Sequence, residues 1–180
     1  MGCDIHLKTY FWSKVENKMV PAMGALEDSH YFPLIVNDRD YDLFGFFGNT
    51  VRSWYHESEV LNEGWPDFMK GTTELALFDN VDHHTIRWCE IGKLKKGIED
   101  YKARLLDPKL FKEFYDDEND FVLDAAEDRI PIEKYRNAHS SMVASLDDLM
   151  KKVIEVEQWC DDYSDVFDTE KIVFVTWMDN

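Results

Sequence analysis

Two stretches decide the fold. Residues 3–12 read Cys3-Asp4-Ile5-His6-Leu7-Lys8-Thr9-Tyr10-Phe11-Trp12, and residues 171–178 read Lys171-Ile172-Val173-Phe174-Val175-Thr176-Trp177-Met178. The first opens in alternation, with Cys3, Ile5 and Leu7 on one side and Asp4, His6 and Lys8 on the other. That period of two marks a half-buried strand. The second is β-branched and aromatic almost throughout, which suits a strand buried on both faces. Helical patterns lie between them. Strands at the two extremes with helices between predict an α+β fold. In it the first strand pairs beside the last, in a mostly antiparallel sheet packed with three to four helices.

Working outward, residues 14–20 hold a turn-like Glu16-Asn17-Lys18 and are read as closing a hairpin with the first strand. From Glu90, the apolar residues Ile91, Leu94, Ile98, Tyr101 and Leu105 form one stripe of an amphipathic helix that Asp107-Pro108 ends. Met142, Leu146, Leu149, Val153, Val156 and Cys160 recur in steps of four and three, a second helix that Ser140, Ser141 or Ser145 would cap. Tyr41, Phe44, Phe47 and Val51 have helical spacing, weakened by Gly45 and Gly48. A short helix is expected after Pro108, residues 60–84 read as irregular, and the acid-rich residues 116–128 read as a solvated loop.

With 180 residues the chain is the length of a single domain, 1–180, and 44% of its residues are hydrophobic. Its formal net charge is -17, with both halves acidic. A field of that sign repels phosphate backbones, so direct nucleic-acid binding is not expected. The acidity serves solubility, or else imitates nucleic acid towards a basic host protein. Cys3, Cys89 and Cys160 are far apart and odd in number, which fits a reducing cytoplasm better than a disulfide framework. No segment has the length and apolarity of a membrane span or a signal peptide. Met1-Gly2-Cys3 invites an acyl-anchor reading, but His6 stands where myristoylation wants Ser or Thr.

Asp4 and His6 are two apart on the predicted strand. Their Cβ atoms would then lie roughly 6–7 Å apart on one face, a spacing from which a carboxylate and an imidazole grip one divalent metal ion. The alternative is a polar strand face with His6 hydrogen-bonded to a neighbour. His83-His84 adds two imidazoles, although neighbours on a strand point opposite ways, so the pair serves one ion only from a loop. His139 and Ser140 are read at the start of the second helix, where free N–H groups favour an anion. Arg39 and Arg52 flank an aromatic segment and would suit a carboxylate or phosphate if they share a pocket.

The opening Met1-Gly2-Cys3-Asp4-Ile5-His6 resembles the start of a family of small uncharacterised proteins of bacteriophages and bacteria. Three further segments are similar to that family: Arg39-Asp40-Tyr41-Asp42-Leu43-Phe44 with Val51-Arg52, His139-Ser140 with Ser145-Leu146-Asp147-Asp148-Leu149, and Ile172-Val173-Phe174 with Asp179-Asn180. The resemblance implies a phage-type setting and a shortlist of polar residues, not a reaction. The leading expectation is a small cytoplasmic accessory protein whose polar pocket takes a small anionic, nucleotide-like ligand, hydrolytically or by sequestration. His6 and His139 would be its acid/base residues, with Asp4, Arg39, Tyr41, Arg52, Ser140 and Asp179 binding the ligand and Asp4 and His6 holding a divalent metal. The competing expectation is an acidic interaction protein that occludes a basic surface of a host nucleic-acid-binding protein, with residues 116–128 supplying the charge.

Overall fold

The computed structural model describes residues 4–22, 37–38, 43, 45–48, 58, 60–72, 75, 83–106, 115–116, 121–123 and 129–179. Side chains are described for these except at 4, 37–38, 83–84, 115–116, 121–123, 129–138 and 179. The strands are β1 (Asp4–Ser13), β2 (Lys18–Pro21), β3 (Asn37–Asp38), β4 (Asn62–Glu63), β5 (His83–Glu90), β6 (Tyr115–Asp116), β7 (Phe121–Leu123), β8 (Arg129–Pro131) and β9 (Phe167–Asp179). Two α-helices occur among the described residues, α1 (Ile91–Leu106) and α2 (Ile132–Asp162).

The main sheet runs β2-β1-β9-β5-β4, with β3 also pairing to β1, and every pairing is antiparallel. The first and last strands are therefore neighbours, as their patterns predict. Their ladder extends from Asp4 opposite Asp179 to Ser13 opposite Phe167. The β1–β2 turn places Asn17 in the left-handed region, at φ 52°, and the Glu16 N–H donates to the Ser13 hydroxyl at 3.1 Å. Asn tolerates that conformation better than most residues.

One face of the sheet carries the helices. Ile5, Leu7 and Phe11 of β1 and Ile172, Phe174 and Met178 of β9 join the α1 stripe and the α2 stripe in one core. The other face has a smaller cover. Tyr10, Val173, Val175 and Trp177 pack with Met69, beneath a short 3-10 turn at Asp67–Met69. The β9 residues from 172 to 178 are accordingly all buried, as the unbroken β-branched and aromatic run predicts. Lys95 and Glu157 form a two-oxygen ion pair at 2.7–2.8 Å, and Lys102 meets Asp147 at 2.6 Å, so two clasps join α1 to α2.

Several expectations are corrected. Among the described residues two helices are found, against three to four predicted, and the short helix expected after Pro108 lies outside the described residues. Residues 45–48 form a turn, with the Phe47 N–H donating to the Leu43 carbonyl at 3.1 Å and Gly48 at φ 100°, while Tyr41, Phe44 and Val51 of the expected helix lie outside the described residues. Phe46 and Phe47 are buried all the same, at 0% and 1% exposure. The acid-rich stretch 116–128 is not wholly loop. β6, β7 and β8 form a three-stranded sheet, because Tyr115, Phe121 and Val122 favour strands between the acids. The second helix starts at Ile132, directly after Pro131, well before His139. Proline at a helix start suits the fixed φ of its ring, and the serines that looked like caps lie inside the helix.

Gly97 lies on the buried side of α1. A Cβ there would collide with the Val60 Cγ2 methyl and stand 3.0 Å from the Ser58 Oγ. Gly92, in the same helix, is exposed with open space around it. Alanine in place of helical glycine gains about 0.5–1 kcal/mol when nothing obstructs it, whereas overpacking costs about 1–3 kcal/mol. Urea denaturation should therefore show Gly92→Ala stabilising and Gly97→Ala destabilising. In a Val60→Ala background the cost of Gly97→Ala should disappear.

Candidate functional site

Residues directly opposite each other in antiparallel strands share a face. Asp4 stands opposite Asp179, and Asp179 stands opposite His83 on its other side. Three ionisable residues thus occupy one row across β1, β9 and β5. Two residues further along β1, His6 stands opposite Trp177, in the next row on that face. Asp4, His6 and Asp179, expected to meet if the first and last strands pair, stand at one end of the sheet.

The described side chains fix His6 closely. Its ring stacks on the Trp177 indole with centroids 5.3 Å apart and planes 13° from parallel. The Trp65 ring stands 6.2 Å from that of Trp177, tilted by 44°. The Thr176 hydroxyl donates to the His6 carbonyl at 2.8 Å. β3 runs along the other edge, with Asn37 opposite His6 and Asp38 opposite Ile5. Arg39 follows directly in sequence.

His83 and His84 lie in strand, not in a loop, so they serve opposite faces. His84 is opposite Met178, on the helix-covered face, and only His83 joins the row of aspartates. β5 then bulges, because Thr85 and Ile86 together face Trp177 before Arg87 regains register opposite Thr176. Thr85 has φ 53°, a conformation that a β-branched residue rarely adopts. Bulges sharpen the local twist and re-aim neighbouring side chains. The period of the sequence around His83 carries no sign of this pairing. His83 can be found only through the register.

His139 does not join this group. It is buried in α2, and α2 packs on the face opposite to His6, so the sheet stands between them. Ser140 is exposed. Since α2 begins at Ile132, neither residue lies at a helix N-terminus with free N–H groups. Arg39, Asp40, Tyr41 and Arg52 lie outside the described residues. Among the described residues no group of three His, Cys, Asp or Glu is placed to hold a metal ion. The row of Asp4, Asp179 and His83 rests on strand register, their side chains being outside the description.

The opposition of Asp4 and Asp179 is the unusual feature of this end. Like charges directly across a strand pair are destabilising, and Cα atoms in such a pair are only about 4.5–5.5 Å apart. Among the described residues the two thiols are buried. Burial pushes Cys89 up to about 12 and Cys160 up to about 11, so neither is a thiolate near neutral pH.

No protein-family model matches the chain, no curated protein matches it, and no solved structure matches it. None of the described helices is long and apolar enough to cross a membrane.

In a Cys3→Ser chain, a colorimetric thiol reagent at neutral pH should leave Cys89 and Cys160 unmodified until denaturant is added, when both react.

Proposed function

We propose that this is a small cytosolic accessory protein of the phage type that binds a small anionic ligand through a divalent cation held at the Asp4–Asp179 end of the sheet. The observation that carries the reading is the direct opposition of two aspartates, with His83 in their row and His6 in the next. Paired carboxylates need a cation or a shared proton between them to relieve their repulsion. Carboxylate oxygens with imidazole nitrogens suit manganese, zinc or ferrous ions. Such an ion attracts a phosphate or carboxylate group into a chain whose overall charge would repel it. Arg39, next in sequence after β3, is the nearest candidate for a direct charge partner, and Tyr41 and Arg52 follow it.

The Trp177 stack gives His6 a fixed plane, which a ligand to metal or a proton donor requires. If the bound compound is hydrolysed, Asp4 and Asp179 would hold the cation, which would supply charge stabilisation, and His6 would take the proton from the attacking water and pass it to the leaving group. His139 and Ser140 have no part in this reading, because the sheet separates α2 from this face.

The cation has a distinctive thermodynamic signature. In EDTA, Asp4→Asn and Asp179→Asn relieve the repulsion, so melting temperatures are unchanged or raised. With manganese the native chain gains stability by mass action, about 2.7 kcal/mol at a hundredfold excess over Kd, and the two variants lose that gain. Trp177 fluorescence should change on manganese addition in the native chain and not in His6→Ala. Equal manganese stabilisation of the Asp4→Asn/Asp179→Asn double variant overturns the site. Manganese-dependent turnover of nucleotide phosphoesters, abolished by EDTA, marks hydrolysis, while unchanged nucleotide recovered bound marks sequestration.

A further inference from the structure

The opposite end of the sheet lies roughly 30 Å from the aspartate row at 3.3 Å per residue along β1. There a cavity of about 950 Å³ opens around the β1–β2 hairpin, lined by Tyr10, Trp12, Phe68, Trp159, Tyr163 and Phe167 among others. Part of this aromatic lining faces solvent. Tyr163 is 44% exposed, and its ring stands 4.7 Å from that of the half-buried Trp159. The lining already receives a cation from its own chain, since the Lys171 ammonium sits 4.8 Å above the Trp12 ring. Aromatic faces attract cations through their quadrupole, most strongly where water is excluded.

The charge around the cavity points the same way. Asp161, Asp162 and Asp165 are exposed in the α2 end and the turn that carry Trp159 and Tyr163. None of the ion pairs among the described residues uses them. The lysines of this end are already engaged. Lys14 donates to the Ser164 carbonyl at 2.7 Å, Lys18 pairs with Glu16 at 2.6 Å, and Lys171 pairs with Asp168 at 3.2 Å. Three carboxylates without an ion pair among the described residues therefore lie within two residues of the lining residues Tyr163 and Val166, against one ammonium, Lys14, that has none.

We propose that this groove docks a basic segment of a partner protein, with an arginine or lysine side chain stacked on the exposed Tyr163 ring and others paired to Asp161, Asp162 and Asp165. Its volume exceeds what one side chain fills and suits a short stretch of chain. A phosphate polymer is repelled by the same carboxylates, so the complementary partner is a protein. The surface is independent of the cation site, and neither proposal depends on the other.

The test titrates a capped peptide of alternating arginine and glycine into the full chain by calorimetry, with the corresponding glutamate peptide as control. Asp161→Asn/Asp162→Asn/Asp165→Asn should weaken binding about tenfold. Glu99→Gln/Asp100→Asn/Glu155→Gln makes the same charge change on the helices away from the groove and should leave affinity within about twofold of the native value. Tyr163→Ala should weaken binding, and Tyr163→Phe, which keeps the ring, should restore it. All these positions are exposed, so circular dichroism and melting temperature should stay native. Equal losses in the two charge variants would show attraction to the overall field and overturn the groove. Absence of arginine-peptide binding, or full affinity in Tyr163→Ala, overturns it equally.

Discussion

The pairing of β1 with β9 is the constraint on which the rest depends. β9 has β1 on one side and β5 on the other, and its residues from 172 to 178 are buried on both faces. A strand so enclosed cannot give its N–H and C=O groups to water, so both neighbours must satisfy them. Register is held as tightly. A slip of one residue would turn Ile172, Phe174 and Met178 away from the helices and bring Val173, Val175 and Trp177 in their place. The two ladders that enclose β9 also set Asp179 between Asp4 and His83.

The two faces differ in how they are covered, and that difference divides the polar residues. The helix-bearing face is closed by two long apolar stripes and leaves α2 with His139 in its layer. Among the described residues, the other is covered by Met69, Phe68 and Trp65, which pack with Tyr10 and the β9 side chains. The aspartate row lies at one end of the β1–β9 ladder and the aromatic cavity at the other. The β1–β9 ladder also breaks near the groove, between Phe11 and Trp12. Phe11 remains opposite Ile172 while Trp12 moves opposite Asp168, which accommodates Thr169, Glu170 and Lys171 and leaves Lys171 over Trp12.

Much of this architecture is legible in residue patterns. The stripe from Ile91 to Leu105 and that from Met142 to Cys160 are helices with those residues buried, because a long apolar stripe has only one way to meet a core. Shorter signals are weaker. Phe44 and Phe47 have helical spacing, yet the chain turns over residues 45–48, where two glycines reduce the helical preference and Phe46 and Phe47 are buried within the turn. The three serines after His139 resemble caps, but capping preference is about 1 kcal/mol and gives way to continued packing of the longer helix that Pro131 begins.

Of the candidate site, Asp4 and His6 could be placed on one side of a strand from their spacing alone, and Asp179 near them once the first and last strands were paired. These follow from local periodicity, which is written in the side chains themselves. The inclusion of His83, the separation of His139 and the stacking of Trp177 on His6 could not follow in that way. Strand order, register and the β5 bulge are set by which backbone groups find partners and which faces exclude water across residues far apart in sequence. Local pattern thus determined what each segment prefers to be, whereas only the tertiary pairing decided which of its polar residues meet, because that depends on satisfying β9 from both sides at once.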